Sequence, residues 1–199
     1  MGSCFFALIS RMKHIRRWGL MRNNLSENVQ EHSHLTAVTA HALAVIRRDV
    51  FGLAGDPDKV AVYALYHDAA EILTGDLPTP VKYHNSDISN AYRQIEKTAS
   101  EKLTDMLPAE IKETYRPILS QNTEHITRAL VHAADKLSAY IKCVEERKAG
   151  NTEFLSAEKQ TLEKLRSMDM PEVGYFIDNF IPAFELTLDE LDALSADRR

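Results

Sequence analysis

A histidine and an aspartate, His67-Asp68, follow directly on the apolar helical run Val60-Ala61-Val62-Tyr63-Ala64-Leu65-Tyr66, and Glu71 comes one turn later. Such a run packs against an interior and carries its polar end there. A carboxylate buried without a partner costs several kcal/mol or takes up a proton. A divalent metal removes that cost, and an imidazole beside a carboxylate makes a good pair of ligands for one. The fold is constrained accordingly, because helices distant in sequence must close around this point and bring further ligands to it. Read as one continuous helix, the repeat of about 3.6 residues sets His67 and Asp68 about a hundred degrees apart, with Glu71 on the side they share. His32, in Glu31-His32-Ser33-His34, and Asp135, in His132-Ala133-Ala134-Asp135-Lys136, are candidates to complete a His, His-Asp, Asp set. That set points to metal-assisted hydrolysis. Singly the residues say less. A His-Asp dipeptide arises often by chance, His34 and His41 compete with His32 on one helix, and Asp135 and Glu71 each suit a helix surface.

Helical periodicity runs from end to end without convincing strand alternation, so the expected class is all-α, a helical bundle with the metal site between helices. A first helix is expected from about Ser3 to Ile15, and a second, capped by Ser26, to about Arg48. Asp56-Pro57 is a stronger start signal, opening a helix through His67, Asp68 and Glu71 to near Gly75. Gly75-Asp76-Leu77-Pro78-Thr79-Pro80 reads as a loop, since two prolines do not sit inside one helix. Further helices are expected over Ser86–Met106, Pro108–Gln121, Thr123–Lys148, Thr152–Ser167 and Pro171–Leu186.

A chain of 199 residues favours a single domain, 1–199, with 1–4 and 190–199 frayed. Its formal net charge of −5 disfavours a nucleic-acid polymer as partner while leaving room for a small anion at a locally positive site. Cys4 and Cys143 make neither a disulfide framework nor a metal-binding pair, which suits a cytoplasmic setting. Cys4-Phe5-Phe6-Ala7-Leu8-Ile9 is too short to span a membrane.

Several segments together resemble a known group. They are Arg16-Arg17-Trp18-Gly19-Leu20-Met21-Arg22-Asn23, Glu31-His32-Ser33, Tyr66-His67-Asp68-Ala69-Ala70-Glu71, Gly75-Asp76-Leu77-Pro78-Thr79-Pro80-Val81-Lys82, Ala133-Ala134-Asp135-Lys136 and Tyr140-Ile141-Lys142-Cys143-Val144-Glu145-Glu146. The chain resembles the HD-domain phosphohydrolase superfamily, and within it the bacterial 5′-deoxynucleotidases, over about Phe5 to Glu190. The resemblance implies that His32, His67, Asp68 and Asp135 hold a divalent transition metal, with cobalt the strongest activator in vitro and manganese or copper also serving. It implies catalytic roles for Glu71 and Asp76, phosphate orientation by Arg17 and nucleotide contact by Trp18. Asp76, Leu77, Pro78 and Thr79 correspond to a substrate-lining loop. The implied reaction removes the 5′-phosphate from deoxyribonucleoside 5′-monophosphates, in a homodimer.

The chemistry suits those residues. A phosphate monoester is very stable, so its cleavage depends on charge neutralisation and a positioned nucleophile. Glu71 and Asp76 are placed to exchange protons with attacking water and leaving oxygen, and Arg17 offers a planar fork of donors to a phosphate dianion. Trp18, the only tryptophan, suits stacking on a base or sugar as well as packing between helices. The competing readings are a triphosphohydrolase or a hydrolase of guanosine alarmones or cyclic nucleotides, and a non-enzymatic helical module with a structural metal or none. The first would need more cations than Arg17 and Lys82 for its extra phosphates. A homodimer also fits the large apolar side chains Tyr175, Phe176, Phe180, Ile181 and Phe184 near the C-terminus.

Overall fold

Three helices dominate the core of the computed structural model, which describes residues 2–82 and 84–196, with Thr79 and Ser195 as backbone only. In chain order the helices are α1 (Phe5–Ile9), α2 (Val29–Asp49), α3 (Pro57–Leu65), α4 (Glu71–Thr74), α5 (Thr79–Lys82), α6 (Ser86–Asp105), α7 (Ala109–Leu119), α8 (His125–Lys148), α9 (Leu155–Arg166), α10 (Pro171–Asn179) and α11 (Leu188–Ala196). Tighter 3₁₀ turns cover Ser10–His14, Thr152–Phe154 and Ile181–Glu185. Among the described residues the only β pairing is an isolated antiparallel bridge, Arg16 to Asn28. The all-α class is therefore the observed one.

α2 packs along both α3 and α8, and their buried faces supply Leu43, Val60, Leu130, Leu137 and Ile141 to the main core. A smaller cluster joins Phe5, Leu103, Leu107 and Leu119 to Ala69, the residue after Asp68, so α1, α6 and α7 support the back of the His-Asp segment. Capping explains the starts. Asp56 accepts a hydrogen bond from the Lys59 backbone N–H at 3.1 Å with Pro57 in the first turn, as expected. At α2 the cap is Asn28 and not Ser26. Its side chain accepts from the Glu31 N–H while Glu31 accepts from the Asn28 N–H, satisfying both reciprocally. Ser26 cannot serve because the following residues are extended: Glu27 accepts from the Arg17 N–H at 3.0 Å, and the Val29 N–H donates to Ile15 at 2.9 Å.

The largest departure falls on the site itself. α3 ends at Leu65, and residues 66–70 form successive tight turns before α4. The physical reason is the His67 ring. Its Nδ1 lies 2.8 Å from the Ala64 carbonyl, the acceptor that the Asp68 N–H would use in a continued helix. The one-helix spacing of His67, Asp68 and Glu71 is thus corrected to a turn that aims them independently. The expected loop at 75–80 is also shorter. It spans 75–78, because Pro80 falls in the first turn of α5, where a missing N–H costs nothing, and Pro78 accepts from the Val81 and Lys82 N–H groups. At the C-terminal end α11 is helical to Ala196 where fraying was expected from residue 190, and 197–199 lie outside the described residues. No helix among the described residues is long and apolar enough to cross a membrane.

Candidate active site

His32 from the first turn of α2, His67 from the break after α3 and Asp135 from the middle of α8 bring one ligand atom each within 4.8 Å of one another. His32 Nε2 lies 3.2 Å from Asp135 Oδ1 and 3.7 Å from Asp68 Oδ2, and His67 Nε2 lies 3.1 Å from that same Asp68 oxygen. Three of the four expected ligands thus form one group, and Asp68 lies beside two of its members. Because a carbonyl only accepts, the contact with Ala64 places a ring proton of His67 on Nδ1, so that Nε2 is the nitrogen offered to the centre. That Nε2 is buried without a hydrogen-bond partner among the described residues, although an Asp68 oxygen lies 3.1 Å away. Side chains aimed at a common point rather than at each other fit a metal. His32 is fully buried, and burial lowers its pKa, which keeps the imidazole neutral as a ligand must be. Burial works against the charge on Asp68, but His67, itself raised by Asp68 against its own burial, outweighs it and holds the carboxyl well below its ordinary range. Asp135 is held low in the same way, by His32 and by Lys136, whose Nζ lies 3.0 Å from Oδ2.

Two further carboxylates lie within electrostatic reach of Asp68. Glu71, at the start of α4, is only 6% exposed, and its Oε2 has no hydrogen-bond partner among the described residues. Burial, then the charges of Asp68 and Asp76, push its pKa up to about 9. Asp76 is half-buried and raised too, first by burial and then by Asp68, with Arg17 opposing. Gly75, at φ 72°, turns the chain between them through a conformation that a side chain would strain. Leu77 and Pro78 follow half-buried, and Leu77 lines an open groove of about 370 Å³ with Ile88, Ala91 and Tyr92 of α6. Thr79 opens α5.

Arg17 reaches the centre from the segment before α2. Its Nη1 lies 3.6 Å from Asp68 Oδ2 and its Nε 3.1 Å from Glu27 Oε2, with the side chain 13% exposed. Trp18 adopts a left-handed φ of 59°, its indole N–H donates to Glu27 Oε2 at 2.9 Å, and its ring tilts against buried Phe154 at 5.2 Å. It is both a packed residue and a neighbour of Arg17. The chain beyond it is pinned by one buried carboxylate. Glu146 accepts from the Asn24 and Leu25 N–H groups at 2.9 Å and from Asn151 Nδ2 at 2.7 Å, and it pairs with the buried ammonium of Lys142. Although burial works against it, these donors hold its pKa down to about 2.

A stability prediction follows. Glu146→Ala leaves Lys142 charged and buried, a change that costs about 3 kcal/mol, or about 6–12 °C in Tm for a domain of this size. Because the folded pKa is depressed, the wild-type contribution is full above the unfolded value of about 4.5 and is lost as pH falls towards 2. Calorimetry at pH 7 and pH 3 should show a large Tm gap between wild type and variant at the first and a smaller one at the second.

The family described as 5′-deoxynucleotidase YfbR-like matches residues 4–184. A 5′-deoxynucleotidase of Vibrio cholerae is 49% identical over 190 residues, covering 95% of this chain and 98% of the relative. Another, of Shigella boydii, is 48% identical over 190 residues, covering 95% and 96%. The chain belongs to the YfbR-like 5′-deoxynucleotidase family. Among solved structures, an HD-domain phosphohydrolase from Listeria innocua superposes with a TM-score of 0.77 at 21% identity, covering 99% of this chain and 98% of that one. An HD phosphohydrolase of cyanophage S-2L, bound to dA and one catalytic Zn2+, gives 0.63 at 20% identity, covering 88% and 95%. The fold is thus that of the HD-domain phosphohydrolases.

For this member of the YfbR-like family, sequence reasoning overlooked Glu27, Lys136 and the Lys142-Glu146 pair. Lys136 was visible as the neighbour of Asp135. Glu27 offered only its place just before the cap of α2. Lys142 and Glu146 stand four apart in the quoted segment, a spacing that ordinarily signals an exposed helix pair. Of the apolar residues assigned to a subunit contact, Phe176 and Ile181 are buried within the chain, whereas Phe180 is 44% exposed.

Proposed function

We propose that this chain hydrolyses deoxyribonucleoside 5′-monophosphates to deoxyribonucleoside and phosphate. The observation that carries the reading is the convergence of His32, His67 and Asp135, with Asp68 beside them, Arg17 against Asp68 and Glu71 within reach of its charge. The names of its family relatives agree with it. His32, His67, Asp68 and Asp135 would hold a divalent transition metal, and the cyanophage structure supports such an ion. Cobalt is the expected activator, with manganese and copper as alternatives. When bound, the ion polarises the phosphate and lowers the pKa of a coordinated water.

The chain's own residues do the rest. Arg17 presents its outer nitrogens to the phosphate and orients it, while Glu27 occupies the other side of its guanidinium. Glu71 and Asp76 divide the proton transfers, one receiving from attacking water and one giving to the departing 5′-oxygen. Trp18 walls the nucleoside beside the phosphate, and Asp76, Leu77, Pro78 and Thr79 border it on the other side. An apolar wall accepts the 2′-hydrogen of a deoxyribose and leaves a 2′-hydroxyl unpaired, which costs about 1–3 kcal/mol, or roughly ten- to a hundredfold in rate.

The test is a phosphate-release screen on metal-stripped protein with cobalt, manganese, copper or zinc restored. Mono-, di- and triphosphates of deoxy- and ribonucleosides are the substrates. Inorganic phosphate from 5′-monophosphates, with a deoxy preference of at least about tenfold that Trp18→Ala narrows, is the expected result. Pyrophosphate or triphosphate as product, or no turnover with any metal, would overturn the reading.

We also read the chain as one catalytic domain working as a cytoplasmic homodimer. The free thiols of Cys4 and Cys143 fit a reducing compartment, and the exposed ring of Phe180 beside Tyr175 leaves apolar surface for a second subunit. Light scattering at micromolar concentration should give twice the chain mass of 22.5 kDa, and a monomer would count against the dimer.

A further inference from the structure

We propose that Glu27 is a positioning residue that couples the phosphate grip of Arg17 to the nucleoside wall of Trp18. The proposal rests on the 5′-nucleotidase reading and deepens it. A single oxygen, Glu27 Oε2, accepts the indole N–H of Trp18 at 2.9 Å and lies 3.1 Å from Arg17 Nε. The carboxylate is 11% exposed, so both contacts are little screened. The Arg17 Nε–H does not point at this oxygen, so the contact is one of charge with charge.

The backbone makes Glu27 a fixed anchor. Its carbonyl accepts from the Arg17 N–H at 3.0 Å, and Arg16 bridges to Asn28 on either side of that bond. The capping box of α2 begins at the next residue, Asn28. Glu27 is therefore tied to the helix that carries His32, and through it Arg17 and Trp18 keep register with the metal ligands. Trp18 adopts a costly left-handed backbone, and its indole N–H bonds to Glu27.

Removing the carboxylate has a definite consequence. The nearest remaining carboxylate to Arg17 is Asp68, already 3.6 Å from Nη1. The guanidinium would close on Asp68, away from the phosphate. The indole, losing its acceptor, would pivot on Phe154.

The experiment compares wild type, Glu27→Gln, Glu27→Ala, Arg17→Ala and the double variant, each with metal content and Tm measured. Kinetics on dAMP and AMP are read beside the single indole N–H signal of Trp18 by NMR. Gln keeps an acceptor oxygen for the indole and loses the charge on Arg17. It should raise KM for dAMP about tenfold, with a smaller change in kcat, the indole signal kept and the deoxy preference kept. Ala should raise KM at least as far, shift the indole signal and narrow the deoxy preference. In the Arg17→Ala background, the KM effect of Glu27→Ala should largely vanish. A wild-type KM in Glu27→Gln overturns the proposal, and so does an equal KM effect with and without Arg17. Should Glu27→Ala fail to fold, the near-isosteric Gln variant decides by the same criteria. Failure of the nucleotidase reading shows separately, as wild-type protein inactive on dAMP. The indole signal with added inorganic phosphate then still tests Glu27, and an unchanged response in Glu27→Ala overturns it.

Discussion

Glu71→Ala is expected to lose turnover by about a hundred- to ten-thousandfold while keeping its metal and its affinity for nucleotide. The side chain lies close enough to Asp68 to feel its charge, and one of its oxygens is buried without a hydrogen-bond partner among the described residues. A buried acceptor without a partner costs stability. Its cost is visible in its protonation. With the folded pKa raised to about 9 from an ordinary 4.5, the metal-free protein loses stability as pH rises from the lower value through the higher one. Metal-free Glu71→Ala should therefore melt at or above wild type at pH 8, and the gap should close near pH 4. Single-turnover kinetics, elemental analysis and calorimetry read the three effects separately. Near wild-type turnover would reduce Glu71 to a wall residue, and a less stable apoprotein would show that its carboxyl has a partner after all.

How much of this was legible in the chain depended on how local each cause was. Asp56-Pro57 announces α3 because cap and first turn lie within a few residues, and the helices after Ser86 begin near their expected starts for the same reason. His32, His67, Asp68 and Asp135 could be proposed together because metal-ligating residue types at apolar positions need a common explanation, and the fold brings their side chains close. The end of α3 was not readable. Apolar periodicity runs through Tyr66, and nothing in the sequence says that the His67 ring will take the Ala64 carbonyl. Ser26 and Asn28 are both good caps, and pairing of residues 27–29 with 15–17 decided between them. Glu146 was unreadable for a similar reason. Its role depends on Asn24 and Leu25, more than a hundred residues away in the chain.

Asp68→Ala and His67→Ala should each strip the protein of tightly bound metal and of measurable turnover, with helix content by circular dichroism nearly unchanged. The two residues lie in a turn outside the regular part of α3, so neither side chain is needed to hold a helix together. Asp68 carries the larger burden. Its Oδ2 lies within 3.7 Å of His32 Nε2, His67 Nε2 and Arg17 Nη1 alike. Removing it takes negative charge from the middle of three groups and leaves Arg17 facing two imidazoles. Asp135→Ala should behave as Asp68→Ala does. Lys136→Ala supplies the calibration, since Lys136 touches Asp135 at 3.0 Å without belonging to the ligand set. Loss of a contact behind a ligand weakens metal binding about ten- to a hundredfold, and loss of a ligand should exceed that. Elemental analysis after dialysis against a weak chelator orders the variants. Full occupancy in Asp68→Ala and His67→Ala would refute the ligand assignment. Equal losses in Lys136→Ala and Asp135→Ala would mean that Asp135 acts through its charge alone and not by coordination.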